Sequence, residues 1–133
     1  MSDVTDVLKQ YSKDAIKNDK DLLNRKRQIA VAEKLKENKE NPEEFGKLAT
    51  QIKEIAIQAN LKDLENMAYE HELAGKANYQ EFITENYDKF VNEIINNIDT
   101  IKNMLITQFF NGTTPFSSGG QPFEMYILNK EGI

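Results

Sequence analysis

The sequence predicts an all-α fold: three long antiparallel helices in a coiled-coil-like helical bundle, followed by an extended C-terminal arm carrying a short β-strand. Three observations predict it. No glycine or proline precedes Pro42. Apolar residues recur at spacings of three and four through three segments of nearly equal length, about Val4 to Asn38, Pro42 to Ala74 and Tyr79 to Phe110, each roughly 50 Å long as a helix. Four of the six glycines and two of the three prolines then fall after Phe110, which excludes helix there. The expected division is a bundle over residues 1–112 and an arm over 113–133.

In the first segment Leu8, Ala15, Leu22 and Ile29 occupy one position of a seven-residue repeat, and Val4, Tyr11, Asn18, Arg25 and Ala32 the other. A continuous helix is the expectation. The polar run Asn18 to Asp21 offers the alternative of a helical hairpin, since it can cap a new helix at Leu22.

The second segment starts from Asn41, Pro42, Glu43 and Glu44, which combine a capping side chain, a proline at the first helical position and a glutamate at the third. Phe45, Leu48, Ala49, Ile52, Ile55, Ala56 and Ala59 share one face. Ile57, Leu61, Leu64, Ala68 and His71 form a second stripe, and the shift near Asn60 reads as a bend or as a helix touched on two sides. Gly75 is expected to end this helix in a left-handed conformation.

Asn78 and Glu81 repeat the capping pattern and are expected to open the third segment. Its stripe of Tyr87, Phe90, Val91, Ile94, Ile98, Ile101 and Leu105, with Ile83 and Met104 at the margins, is the strongest in the chain and marks the centre of the bundle. Asn111 and Gly112 stop it. In the arm, Phe123 to Leu128 has strand composition, with Phe123, Met125 and Ile127 on one side of an extended chain.

Composition narrows the chemistry. The net charge of −5 argues against a nucleic-acid partner held by phosphate neutralisation. The sequence has no cysteine, which removes thiolate nucleophiles and cysteine-ligated metals. Met1 to Tyr11 lacks the apolar run of a signal peptide, and no stretch approaches a membrane span. The single histidine, His71, lies between Glu70 and Glu72, and side chains one residue apart on a helix diverge. It is expected to be structural or at the surface, where a histidine at the edge of a stripe finds a neighbouring carboxylate. Ser117, Ser118, Gly119 and Gly120 lack the lysine of a phosphate loop. No catalytic residue, cofactor or metal site is expected.

Two groups stand out as contact candidates. Phe116, Phe123, Met125, Tyr126, Ile127 and Leu128 make the arm too apolar for an ordinary solvated terminus, so they are expected to bind a partner or to fold back on the bundle, where Phe109 and Phe110 could help plug one end. Arg25, Lys26 and Arg27 are a candidate electrostatic contact, interleaved with acids such as Asp21 and Glu33.

A helical body ending at Phe110 with an apolar arm from Asn111 to Ile133 resembles, in layout alone, the head–tail adaptor and connector proteins of tailed phages and other small virion components. The resemblance implies a non-enzymatic assembly protein, docking by its arm on a neighbouring subunit in a homo-oligomer, in the cytoplasm or a virion. Two other classes compete: a small regulator or inhibitor of a host protein or nucleic-acid machine, and an enzyme whose site is not recognisable from sequence.

Overall fold

The structure, a computed structural model, describes the backbone of residues 4–14 and 19–110 and the side chains of residues 4–10 and 23–107. The described residues are all-helical, in six helices: α1 (Val4–Asp14), α2 (Asp19–Asn38), α3 (Pro42–Gln58), α4 (Lys62–Lys76), α5 (Gln80–Asn96) and α6 (Ile98–Phe110). Each of the three expected rods is therefore divided in two. The expected strand at Phe123 to Leu128 and the whole arm lie outside the described residues.

The first segment is a hairpin rather than one helix. Lys9 Nζ lies 3.2 Å from Glu33 Oε1, whereas residues 24 apart on one helix would be separated by about 36 Å. Folding back lets Leu8, 5% exposed, join the same core cluster as Val31, Ala32 and Leu35. The cause is in the seam, where Asn18 and Arg25 deny a straight helix a continuous apolar stripe.

The start of α3 forms as its residues dictate. Asn41 is extended, and its side chain accepts a hydrogen bond from the Glu44 backbone N–H at 3.3 Å, with Pro42 opening the helix. The second segment then reverses at Asn60, which has φ 58°. Leu61 N–H bonds Ala56 O at 2.9 Å and Asn60 N–H bonds Ile57 O at 3.2 Å. This pair of bonds closes a helix when the residue after its cap is left-handed, a conformation that asparagine tolerates better than most residues. The stripe shift seen in the sequence is thus a full chain reversal.

The same device ends α4, and at a different residue from the one expected. Asn78, not Gly75, is left-handed, at φ 56°, and Tyr79 N–H to Ala74 O at 2.8 Å with Asn78 N–H to Gly75 O at 3.1 Å completes the motif. Asn78 therefore closes α4 instead of capping α5. The α5 cap position falls on Tyr79, which makes no side-chain cap bond.

Gly75 is inside α4 because α3 presses against it. A Cβ on Gly75 would sit 2.5 Å from the Gly46 Cα and 2.7 Å from the Pro42 carbonyl oxygen, and one on Gly46 would sit 3.0 Å from the Gly75 Cα. The two backbones touch, and α3 against α4 is the most extensive helix pairing among the described residues.

Helices α5 and α6 form one rod with a fault at Asn97, whose side-chain amide donates to Glu93 O at 2.8 Å and to Glu93 Oε2 at 3.1 Å. That bond competes with the main-chain ladder one turn back. Helix α2 runs antiparallel to α5, since Gln80 Nε2 donates to Lys39 O at 2.9 Å, the Tyr87 hydroxyl to Ala32 O at 3.3 Å and Gln28 Nε2 to Ile95 O at 3.4 Å. Phe45, in the first turn of α3, packs on Tyr87 and Phe90 of α5, and α3 also contacts α6. Hence α3 follows the direction of the α5–α6 rod, and its last turn lies toward the α6 end. Between the helices Leu35, Phe45, Leu64, Ile83 and Phe90 are fully enclosed. No helix among the described residues is long and apolar enough to cross a membrane.

Replacing a helical glycine by alanine ordinarily stabilises a protein by about 1 kcal/mol. Gly75→Ala should do the reverse, lowering stability by about 1–3 kcal/mol because the methyl group overpacks against backbone that cannot rotate aside. Gly46→Ala should be milder. Urea unfolding of the three proteins measures both, and a rise in the Gly75→Ala midpoint would refute the close crossing.

Candidate protein-docking surface

The α3–α4 hairpin carries its small residues inward and leaves three large apolar side chains outside. Ile57 is 49% exposed, Tyr69 50% and Leu73 46%. They form one strip. Lys53 precedes Ile57 by one helical turn, Tyr69 precedes Leu73 by one turn, and the Lys53 ammonium lies 5.5 Å from the centre of the Tyr69 ring, which joins the two helices' rows.

The strip rests on a buried charge that is fully compensated. Glu72 is 5% exposed; its Oε1 accepts from Lys53 Nζ at 2.9 Å and its Oε2 from the Thr50 hydroxyl. Burial alone would raise the Glu72 pKa, but the bonds from Thr50 and Lys53 and the charges of Lys53 and Lys76 outweigh it and hold the carboxyl below its ordinary value. Glu72 is thus paired where it lies enclosed between α3 and α4.

One residue earlier, about 100° around the helix, His71 turns into the core. Its Nδ1 is 2.8 Å from the Met67 carbonyl oxygen, so Nδ1 carries the proton and Nε2 is the bare nitrogen. Nε2 is buried with no hydrogen-bond partner among the described residues. The ring stacks on Phe90 at 4.2 Å, meets the edge of Phe82 at 5.1 Å and faces Phe45 at 5.8 Å. Desolvation lowers its pKa, against smaller opposing effects of the Met67 bond and the Glu70 charge. The expected structural role stands, but through a carbonyl and aromatic rings rather than a carboxylate, since Glu72 is committed to Lys53.

The contact candidates of the sequence are distributed as follows. Arg25 is half-buried and donates from Nη1 to Gln28 Oε1 at 2.8 Å; Lys26 is exposed; Arg27 is 8% exposed, with its Nε unpartnered among the described residues. Phe116, Phe123, Met125, Tyr126, Ile127 and Leu128 lie outside the described residues, as do the side chains of Phe109 and Phe110. Among the described residues there is no group of three or more His, Cys, Asp or Glu side chains able to hold a metal ion.

Sequence reasoning missed the strip. Ile57 reads as part of a buried stripe, and Tyr69 and Leu73 pass unremarked among charged neighbours. The available signal was their register: Tyr69 and Leu73 are one turn apart on a face that contains neither Leu64, Ala68 and Gly75 nor His71. The chain matches no known protein family, and no curated protein or solved structure matches it.

The His71 environment makes stability depend on pH. The unfolded chain takes up a proton near pH 6.5, while the folded site resists until lower pH, so the stabilisation is complete above pH 6.5 and is lost as pH falls toward the lowered folded value. Glu72 acts in a separate window, below its ordinary carboxylate range. The urea midpoint of the wild type should therefore drop between pH 7.5 and 5.5, and His71→Phe should flatten that drop. An unchanged slope in His71→Phe would show that His71 does not carry it.

Proposed function

We propose that this chain is a non-enzymatic assembly protein whose helical body offers a docking face on α3 and α4 and whose apolar arm, residues 113–133, docks on a neighbouring subunit. The reading is supported above all by the strip of Ile57, Tyr69 and Leu73. Single exposed hydrophobic residues are commonplace, but large ones clustered on one face mark protein contact surfaces. Aromatic anchors of this kind carry a disproportionate share of association energy.

The assembly is a homo-oligomer in this reading. Its finer form, a virion component of the head–tail adaptor type, rests on layout: a small helical body with a glycine-punctuated apolar terminus. A regulator using Arg25, Lys26 and Arg27 on a partner is less well supported, because Arg25 is engaged with Gln28 and Arg27 is enclosed. Three such positions do not present one exposed cationic patch.

Light scattering after size exclusion tests the proposal. The full chain should have a mass of two or more copies of 15.3 kDa. Deleting residues 113–133 should give a monomer with an undiminished helical circular dichroism signal per described helix. A full chain that stays monomeric at every concentration would overturn the reading, and so would a deletion that unfolds the body, because the arm would then be core.

A further inference from the structure

We propose that the α3–α4 hairpin is an acid-operated jaw, hinged at its base beside α5 and released when the enclosed His71 ring takes up a proton. Topology supplies the hinge. Both connections of the hairpin to the rest of the chain, residues 39–41 and 77–79, lie at one end, where Gln80 Nε2 donates to Lys39 O at 2.9 Å. The other end is the reversal at Asn60, which joins α3 to α4 alone.

The hairpin has the internal bonds to move as one piece. The Gly46–Gly75 backbone contact and the bonds of Glu72 with Thr50 and Lys53 all lie within it. The Glu72 carboxyl, held below its ordinary value, stays charged where a histidine titrates. Against α5 the hairpin presents rings. His71 stacks on Phe90 at 4.2 Å and meets Phe82 at 5.1 Å, while Phe45 lies 6.1 Å from Phe90 and 6.3 Å from Tyr87. Of these groups only His71 titrates near neutral pH.

A proton on His71 has to sit inside that seam. Nε2 is enclosed without a hydrogen-bond partner among the described residues. On α4 the Met67 carbonyl and the Glu70 charge favour the cation, but desolvation outweighs both, and Glu72 is turned to Lys53. On α3 Glu44, next to Phe45, pairs with Lys47 at 3.2 Å. On α5 Glu81 and Lys89, next to Phe82 and Phe90, are exposed, and the Tyr87 hydroxyl donates to Ala32 O. Swinging the hairpin off α5 gives Nε2 to water, so the open form binds the proton near the ordinary value of about 6.5 and the closed form only below it. Opening is therefore favoured as pH falls through about 6.5, by at most about 10-fold per pH unit for one proton.

The absence of cysteine from the chain permits a clean test. Ile52→Cys, at an enclosed position two turns after Phe45 on the same face of α3, puts one thiol beneath the jaw. Labelling of the full chain by dithiodipyridine, measured at about pH 7.5 and 5.5 and divided by the rate in concentrated urea at the same pH, gives the opening constant. That constant should rise about 3- to 10-fold at the lower pH, because about one unit of the interval lies below the ordinary histidine value. It should exceed, by about 10-fold or more, the unfolding constant that urea denaturation gives for the same protein. His71→Phe in the same background should abolish the pH dependence.

An opening constant that does not change with pH, or that rises equally in His71→Phe, would overturn the proposal. So would one equal to the unfolding constant at both pH values, since the thiol would then be reached only when the whole chain unfolds. Should either substitution prevent folding, Ala56→Cys, one turn further along the same enclosed face, and His71→Leu carry the same test with the same outcomes.

Discussion

The contact of Gly46 with Gly75 sets the geometry from which the rest of the hairpin follows. Two helices normally keep a side chain's thickness between them, at 8–10 Å between axes. Here backbone meets backbone, and any Cβ at the crossing would intrude on main-chain atoms. That closeness leaves no room for a Cβ at the crossing, and one turn away Glu72 reaches both Thr50 and Lys53.

The adjacent residues His71 and Glu72 show how finely that constraint divides a helix. Both are polar and both are enclosed, yet one looks into an aromatic cluster and the other into a charged pocket between α3 and α4. Glu72 stays ionised because its partners are fixed. The His71 pKa is lowered because desolvation among the aromatic rings outweighs the Met67 O bond and the Glu70 charge, both of which favour the cation. Neighbouring positions 100° apart on a helix thereby reach environments of opposite electrostatic character.

The sequence makes the helical class legible, together with the Asn41–Pro42 start of α3 and the stripe running from Ile83 through Tyr87 and Phe90 to Leu105. These depend on local chemistry and on a period sustained over many residues. The number of helices was not legible. Asn60 and Asn78 each reverse the chain without glycine or proline nearby in the turn, and asparagine is too frequent elsewhere in this chain to stand out as punctuation. Gly75 misled for the converse reason, since its role is fixed by Gly46, 29 residues earlier, through a contact no local rule contains. The exposed strip was hidden similarly: whether Tyr69 faces solvent depends on which side of α4 is taken up by α3, a tertiary fact. The apolar cluster of the arm, legible in the sequence, lies outside the described residues.

The two left-handed asparagines also bear on the order in which the molecule assembles. Each joins helices that are consecutive in the chain through a reversal of only a few residues, so α3 and α4 can pair after closing a very short loop. Such closures take well under a microsecond to a few microseconds, and folds rich in near-sequence contacts traverse low entropic barriers. The α3–α4 pair is thus suited to serve as the kinetic nucleus onto which the distant α1–α2 hairpin and the α5–α6 rod later condense.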